Sequence, residues 1–367
     1  MGPDIGAPVV YGDAVFVGDD QVVAVYPVRN MKAAPSLKAR DAALADPFAI
    51  RLAGMATATG RLTQAGDVSM STRGRFEIAL ARQDGIALLV DDPGRLVLLN
   101  SELQVTGQKR LPKLPADPFT WWRAVRPAGG SKMFVWLYHL SDPQNQPRKT
   151  GPWLLLDVPS LRVAERWDAD WNLWPVGFTK DQLLVTSDER RGPNRETASY
   201  LESLGSPRQV TLLGLLAGNS TFAADGSLVY RMDVQKGYVT QHSLNAVING
   251  KVTTLRDDVD CGNCVWAWAA AASTPRVAAL MEPGQSSWSF DPDTWTTVKG
   301  VFIVDLGPPI SMQELPIADG GQIKNATNVA LSPDGRHLAI LAGGELSMFT
   351  LPPIGSGAPL VPPKSKK

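Results

Sequence analysis

Apolar positions along this chain fall into short runs, each closed by a cluster of turn-forming residues. "ALSPDGRHLAIL" (residues 330–341) shows the unit plainly: an apolar strand, a turn at Asp334–Gly335 and a second apolar strand. Asp-Gly supplies the positive φ that such a tight turn requires. The same pattern starts at Pro8 ("PVVYGDAVFVG"), Met70 ("MSTRGRFEIALA"), Arg123 ("RAVRPAGGSKMFVWLY"), Pro175 ("PVGFTKDQLLVTS"), Ser220 ("STFAADGSLVYRM"), Ala270 ("AAASTPRVAALM") and Val329 ("VALSPDGRHLAIL"). In this reading only the units at Ser220 and Val329 keep Asp-Gly, and the even spacing of about 45–60 residues marks the others. Further strand-like sequence follows the hairpins: "GIALLVD", "GRLVLLN" and "LQVTGQKRL" after "FEIALA", then "YVTQHSLN" and "KVTTLRD" after "SLVYRMDV".

Four short strands per period of this length describe the blade of a β-propeller. The expectation is an all-β fold: a single propeller of about seven four-stranded blades, with six or eight as the neighbouring counts. A parallel α/β fold would need helices between strands, and the sequence offers one helical stretch, "SLKARDAALA" (residues 36–45). It reads as part of an insertion near residues 28–47 of the first blade. The propeller is assigned to residues 1–355, and the Gly/Pro-rich, then basic, residues 356–367 are read as a flexible tail. The last unit shows three strands, so its outer strand is expected from the N-terminus or the tail, which would hide an open edge.

"LSPDGRHLAIL" resembles the repeat of TolB-type, WD40-like propellers, in which a Ser-Pro-Asp-Gly turn links the two inner strands of a blade; "FAADGSLVY" is a weaker copy. The Trp-Asp ending and Gly-His start of true WD40 repeats are absent. The resemblance implies a scaffold for binding, sometimes for catalysis, and assigns no active residues.

Composition narrows the function classes. Lys plus Arg and Asp plus Glu both number 36, so no net field recruits nucleic acid or an acidic membrane. No apolar run approaches the length of a membrane span. The N-terminus lacks a basic start and a continuous apolar stretch, which favours a cytoplasmic protein, or an extracytoplasmic one if a signal has been removed. A monomer is expected. Cys261 and Cys264 form a lone C-x-x-C without the second Cys pair of a zinc site, and His139, His242 and His337 are widely scattered. The two cysteines read as structural thiols or a local disulfide. No cofactor and no metal ligand is assigned.

Linear catalytic signatures are missing: there is no G-x-S-x-G elbow, P-loop, H-E-x-x-H or sialidase-type aspartate box. Loop positions are more informative. "SDPQNQPRKTGPW", "SDERRGPNRETAS" and the segment 281–300 fall between middle strands, whereas "LPADPFTWW", "RWDADWNLW" and "RDDVDCGNCVWAW" join successive blades. In a propeller these two kinds of connection share one face, while most turns of the opposite face are expected to be short. These segments also collect most of the 11 tryptophans, with nearby aspartates. Exposed Trp beside carboxylate can anchor a protein partner or stack on a sugar ring; the structural alternative is Trp wedged between blades and Asp capping turns. The candidate binding residues on this face are Trp121, Trp122, Asp168, Asp170, Trp171, Trp174, Trp288 and Trp295. The Arg- and Lys-rich stretches of the middle-strand loops read as solvated charge.

The leading functional reading is a non-catalytic binding propeller whose loop-rich face engages a protein or peptide. One alternative is a hydrolase, lyase or lactonase using carboxylates at the channel mouth; another is carbohydrate binding through the Trp loops. Three or more inward carboxylates within about 5 Å would favour an enzyme, because such crowding perturbs their pKa values. Exposed coplanar Trp rings would favour sugar.

Overall fold

The computed structural model describes residues 12–28, 49–69, 76–90, 94–113, 120–127, 129–139, 150–170, 173–179, 181–187, 198–204, 210–215, 220–236, 239–256, 265–282, 297–298, 300–316, 323–324, 326–342, 345–356 and 358–359. Among them there is no helix. The strands build seven antiparallel blades, numbered here 1 to 7 in chain order, plus a small two-stranded sheet between Thr297–Val298 and Ile323–Lys324. The innermost strands are Asp13–Val17, Phe76–Arg82, Thr120–Val125, Leu173–Phe178, Ser220–Phe222, Val265–Ala270 and Ala326–Leu331. The architecture is a seven-bladed β-propeller.

Strand periodicity explains how the ring is held. Successive side chains point to opposite faces of a sheet, so a blade packed between two neighbours needs apolar residues at both phases. In Asp13–Val17, Val15 and Val17 face blade 2, while Ala14 and Phe16 face blade 7. The same division recurs at every contact, and the buried apolar residues form seven clusters, one between each pair of adjacent blades. Outer strands alternate instead: Leu62–Ser69 and Val105–Arg110 are largely exposed because only solvent lies beyond them.

Ring closure uses the same packing. Ala14, Phe16, Val22, Ala24 and Tyr26 of blade 1 pack against Ala330, Ala339, Leu341 and Leu346 of blade 7. Among the described residues blade 7 has three strands, and no strand from elsewhere in the chain completes it. Within the segment expected to be a flexible tail, Ala358–Pro359 pairs with Ser311 and Met312 at the outer edge of blade 6.

The turns correct two of the sequence units. The hairpins at Arg123, Pro175, Ser220, Ala270 and Val329 lie where the pattern placed them. The first two do not. The inner turn of blade 1 is Gly18–Asp20, and Phe76–Arg82 pairs with Gly85–Val90 across Gln83 and Asp84, so "GIALLVD" is a second strand rather than a third. Val28 pairs with Ala49 where the second strand of blade 1 gives way to the third, and the rest of the insertion expected near residues 28–47 lies outside the described residues. The helix expected at 36–45 and the C-x-x-C at Cys261 and Cys264 lie outside the described residues.

Candidate functional site

Strand direction alternates within each blade, so second-to-third-strand connections and inter-blade connections emerge on one face. The other face carries the first-to-second and third-to-fourth turns. Two features built from strand residues bear on function: the lumen of the ring, and an aromatic group at the strand ends that carry the long connections.

The lumen is a cavity of about 570 Å³ lined by residues from all seven innermost strands. Its charged lining residues, among those described, are Asp13, Glu77, Arg123 and Arg126. Asp13 opens the innermost strand of blade 1, and Glu77 is the second residue of that of blade 2. Arg126 follows the end of the blade 3 strand and pairs with Asp13, which joins blades 1 and 3 past the intervening blade 2. Arg123 pairs with Glu77. Asp13 also accepts the Asn328 side-chain amide from blade 7 and its neighbour's Ala14 N–H at 2.8 Å; Glu77 accepts the Ala124 N–H at 2.6 Å. The amide orientation of Asn328 is fixed chemically, since its NH2 and not its oxygen must meet a carboxylate.

Burial sets the proton affinity of both acids. It pushes the Asp13 carboxyl above its ordinary value, more than Arg126 and the Ala14 N–H pull it down. It pushes Glu77 up in the same way, against Arg123 and the Ala124 N–H, and the negative charge of Asp13 adds to the rise. The lumen therefore holds two carboxylates, each beside its own arginine, and among the described residues no third inward carboxylate joins them.

The aromatic group centres on Tyr138. Trp121 and Tyr138 are register partners in blade 3, with ring centroids 4.7 Å apart. Trp136 meets the Tyr138 ring edge-on at 5.5 Å, and Trp174 of blade 4 lies 6.0 Å away. Arg123 links the two features, its guanidinium carbon lying 5.9 Å from the Tyr138 ring centre. Trp121, Tyr138 and Trp174 are half-buried.

The sequence candidates therefore separate. Trp121 and Trp174 come together through Tyr138. Trp122, the next residue on the strand, points the opposite way and is 1% exposed in the core between blades 2 and 3, so it presents no surface to a partner. Asp168 and Asp170 lie on the outermost strand of blade 3, Asp168 exposed and Asp170 half-buried. Among the described residues no hydrogen bond or ion pair joins either to the aromatic group. Trp171, Trp288 and Trp295 lie outside the described residues. Sequence reasoning missed Asp13, Glu77, Arg123, Arg126 and Asn328; the available signal was a charge inside an otherwise apolar inner strand, as in "DAVFV" and "FEIALA".

No family model matches the sequence, and no curated protein matches it. Solved structures do resemble the fold. The β-propeller domain of the Trilobed protease from Pyrococcus furiosus, which has an open velcro topology, aligns with a TM-score of 0.58 at 12% identity over 97% of this chain and 98% of its own. Kuenenia stuttgartiensis hydrazine synthase aligns with a TM-score of 0.52 at 11% identity, covering 96% of this chain and 97% of that one. Pyrococcus horikoshii acylaminoacyl peptidase gives 0.58 at 10% identity over 93% of this chain, which spans about half (52%) of that protein. At such identities the likeness is one of fold.

Proposed function

We propose that this chain is a binding propeller whose face of long connections engages a protein or peptide, with Trp121, Tyr138 and Trp174 as its apolar anchor. The observation that carries the reading is the half-buried aromatic group at the strand ends of blades 3 and 4. Its geometry favours a socket over a sugar platform. Tyr138 is inclined 45° to Trp121, 49° to Trp174 and 78° to Trp136, whereas stacking on a sugar ring uses a flat exposed face. The lumen weighs against a carboxylate-based enzyme, because Asp13 and Glu77 are each held by a guanidinium rather than poised as an acid–base pair.

The test is selection of binders from a displayed random-peptide library on the full chain, followed by affinity measurement on variants. Trp121→Ala and Trp174→Ala should each weaken binding by roughly 1–4 kcal/mol, the range of an interface hot spot. Affinity is measured well below each variant's own melting midpoint, since both rings also contribute packing. Trp122→Ala is the control: it should cost about 3–5 kcal/mol of stability and leave the affinity of the folded fraction unchanged. Peptides that bind the Trp121 and Trp174 variants as tightly as the parent would overturn the assignment.

A further inference from the structure

The two arginines of the lumen offer more hydrogen bonds than the described structure uses. A guanidinium carries five N–H donors. Arg123 forms an ion pair with Glu77, and its buried Nε has no hydrogen-bond partner among the described residues. Arg126 meets Asp13 through Nη2, with a long 3.5 Å contact from Nε to the Ile78 carbonyl, and its Nη1 donates to no described group. The cations are also the more exposed partners: the side chains of Arg123 and Arg126 are 40% and 33% exposed, against 25% for Glu77 and 17% for Asp13. All four side chains line the lumen.

We propose that the lumen is a binding site for a carboxylate, held by Arg123 and Arg126. Three further points agree with it. The guanidinium fork matches the two oxygens of a carboxylate in a way that a single ammonium does not. The cavity of about 570 Å³ lies within the size range of small-ligand sites. The buried Oδ1 of Asn328, which accepts no hydrogen bond among the described residues, would take an N–H or O–H of the same ligand. The site stands on the lumen alone and does not depend on the aromatic face.

Two sources carry this chemistry, a small free acid and the C-terminus of a peptide. Calorimetric titration of the full chain separates them, using succinate, an N-acetylated tetrapeptide acid and the corresponding C-terminal amide, at constant ionic strength. Saturable binding of succinate identifies a small-acid site. Binding of the peptide acid at least tenfold tighter than its amide, with succinate weak, identifies a chain terminus. Either supports the proposal. Arg123→Gln should weaken the bound probe at least tenfold. Glu77→Gln removes the competing negative charge and leaves Arg123 in place, so it should tighten binding several-fold. A lumen that instead takes cations would lose affinity in Glu77→Gln. That result, binding unchanged by Arg123→Gln in folded protein, or no saturable binding of any probe overturns the assignment.

Discussion

Arg276 is 1% exposed and holds blades 6 and 7 and the C-terminal segment together through one guanidinium. It faces its register partner Asp305 across blade 6 in a two-point ion pair, with Nε to Oδ1 at 2.5 Å and Nη2 to Oδ2 at 2.9 Å. Nη1 donates to the Gly335 carbonyl in the inner turn of blade 7 at 2.8 Å and to Pro352 at 2.9 Å. Asp305, 5% exposed, in turn accepts the Gly355 N–H at 2.8 Å. Arg276→Met keeps most of the volume and strands a buried carboxylate, a change that costs about 3–5 kcal/mol. With an unfolding entropy near 2.1 cal/mol/K per residue, a 367-residue chain loses about 4–6 °C of melting temperature. Urea unfolding followed by Trp fluorescence reads the free energy, and a thermal melt gives the shift. The double variant Arg276→Met with Asp305→Leu removes both charges and should recover at least about 1.5 kcal/mol of the loss. A single-variant cost below about 1 kcal/mol, or a double variant less stable than the single, would refute the argument that a stranded charge dominates.

Gly335 has φ +72°, and a Cβ there would stand 2.9 Å from Cδ of Arg276; Gly226, in the matching turn of blade 5, has φ +84° and open space. Gly335→Ala should therefore destabilise by clearly more than the roughly 1 kcal/mol expected of Gly226→Ala, and equal costs in denaturant titrations would contradict the steric reasoning. For Glu77 the pH sign follows from its raised carboxyl. A folded state that holds the proton more readily than the unfolded chain gains stability as pH falls through that raised value to the ordinary one, and above the raised value the ionised group is a net cost. Glu77→Gln should thus melt higher than the parent at pH 7, with the difference shrinking as pH falls through the raised value; a lower melting point at neutral pH would reverse the assignment. Arg123, being 40% exposed, tolerates the loss of its partner.

The repeat was legible because a blade buried on both faces needs only short apolar runs and a turn, both of which show in sequence. Ser-Pro-Asp-Gly shows why one copy stayed clear. The Asp334 carboxylate accepts the Ser332 hydroxyl at 2.7 Å and the Arg336 N–H at 2.9 Å, while the Asp334 N–H donates to Asp19 of blade 1 at 2.9 Å. Burial acts to raise the Asp334 carboxyl, yet these donors together hold it below its ordinary value. That turn carries inter-blade bonds, so its chemistry is constrained twice. The first two units were displaced by one strand because Gly12–Asp13 and Arg73–Gly74 offered turn residues just before the true hairpins. The Asp-Gly at Asp84–Gly85 closes the inner hairpin of blade 2, and the apolar run after it reads equally well in sequence as a later strand.

The site was harder to read for a reason rooted in the same periodicity. Adjacent residues on a strand face opposite sides, so Trp121 and Trp122 look alike in sequence and differ completely in space: one joins Tyr138 and the other fills the core between blades 2 and 3. Composition cannot separate them, whereas the phase of Met133, Val135 and Leu137 on the neighbouring strand can, because Leu137 pairs with Trp122 and Tyr138 with Trp121. The lumen residues raise a different difficulty. Asp13 and Arg126 are 113 positions apart on non-adjacent blades, and only closure of the ring brings them together. A charge on an inner strand is the local trace of that arrangement. In a fold whose inner strands are packed on both sides, such a charge must find a partner across the lumen or face its open space. Asp13, Glu77, Arg123 and Arg126 do both, which is why they, rather than the loop aspartates, define the polar centre of the molecule.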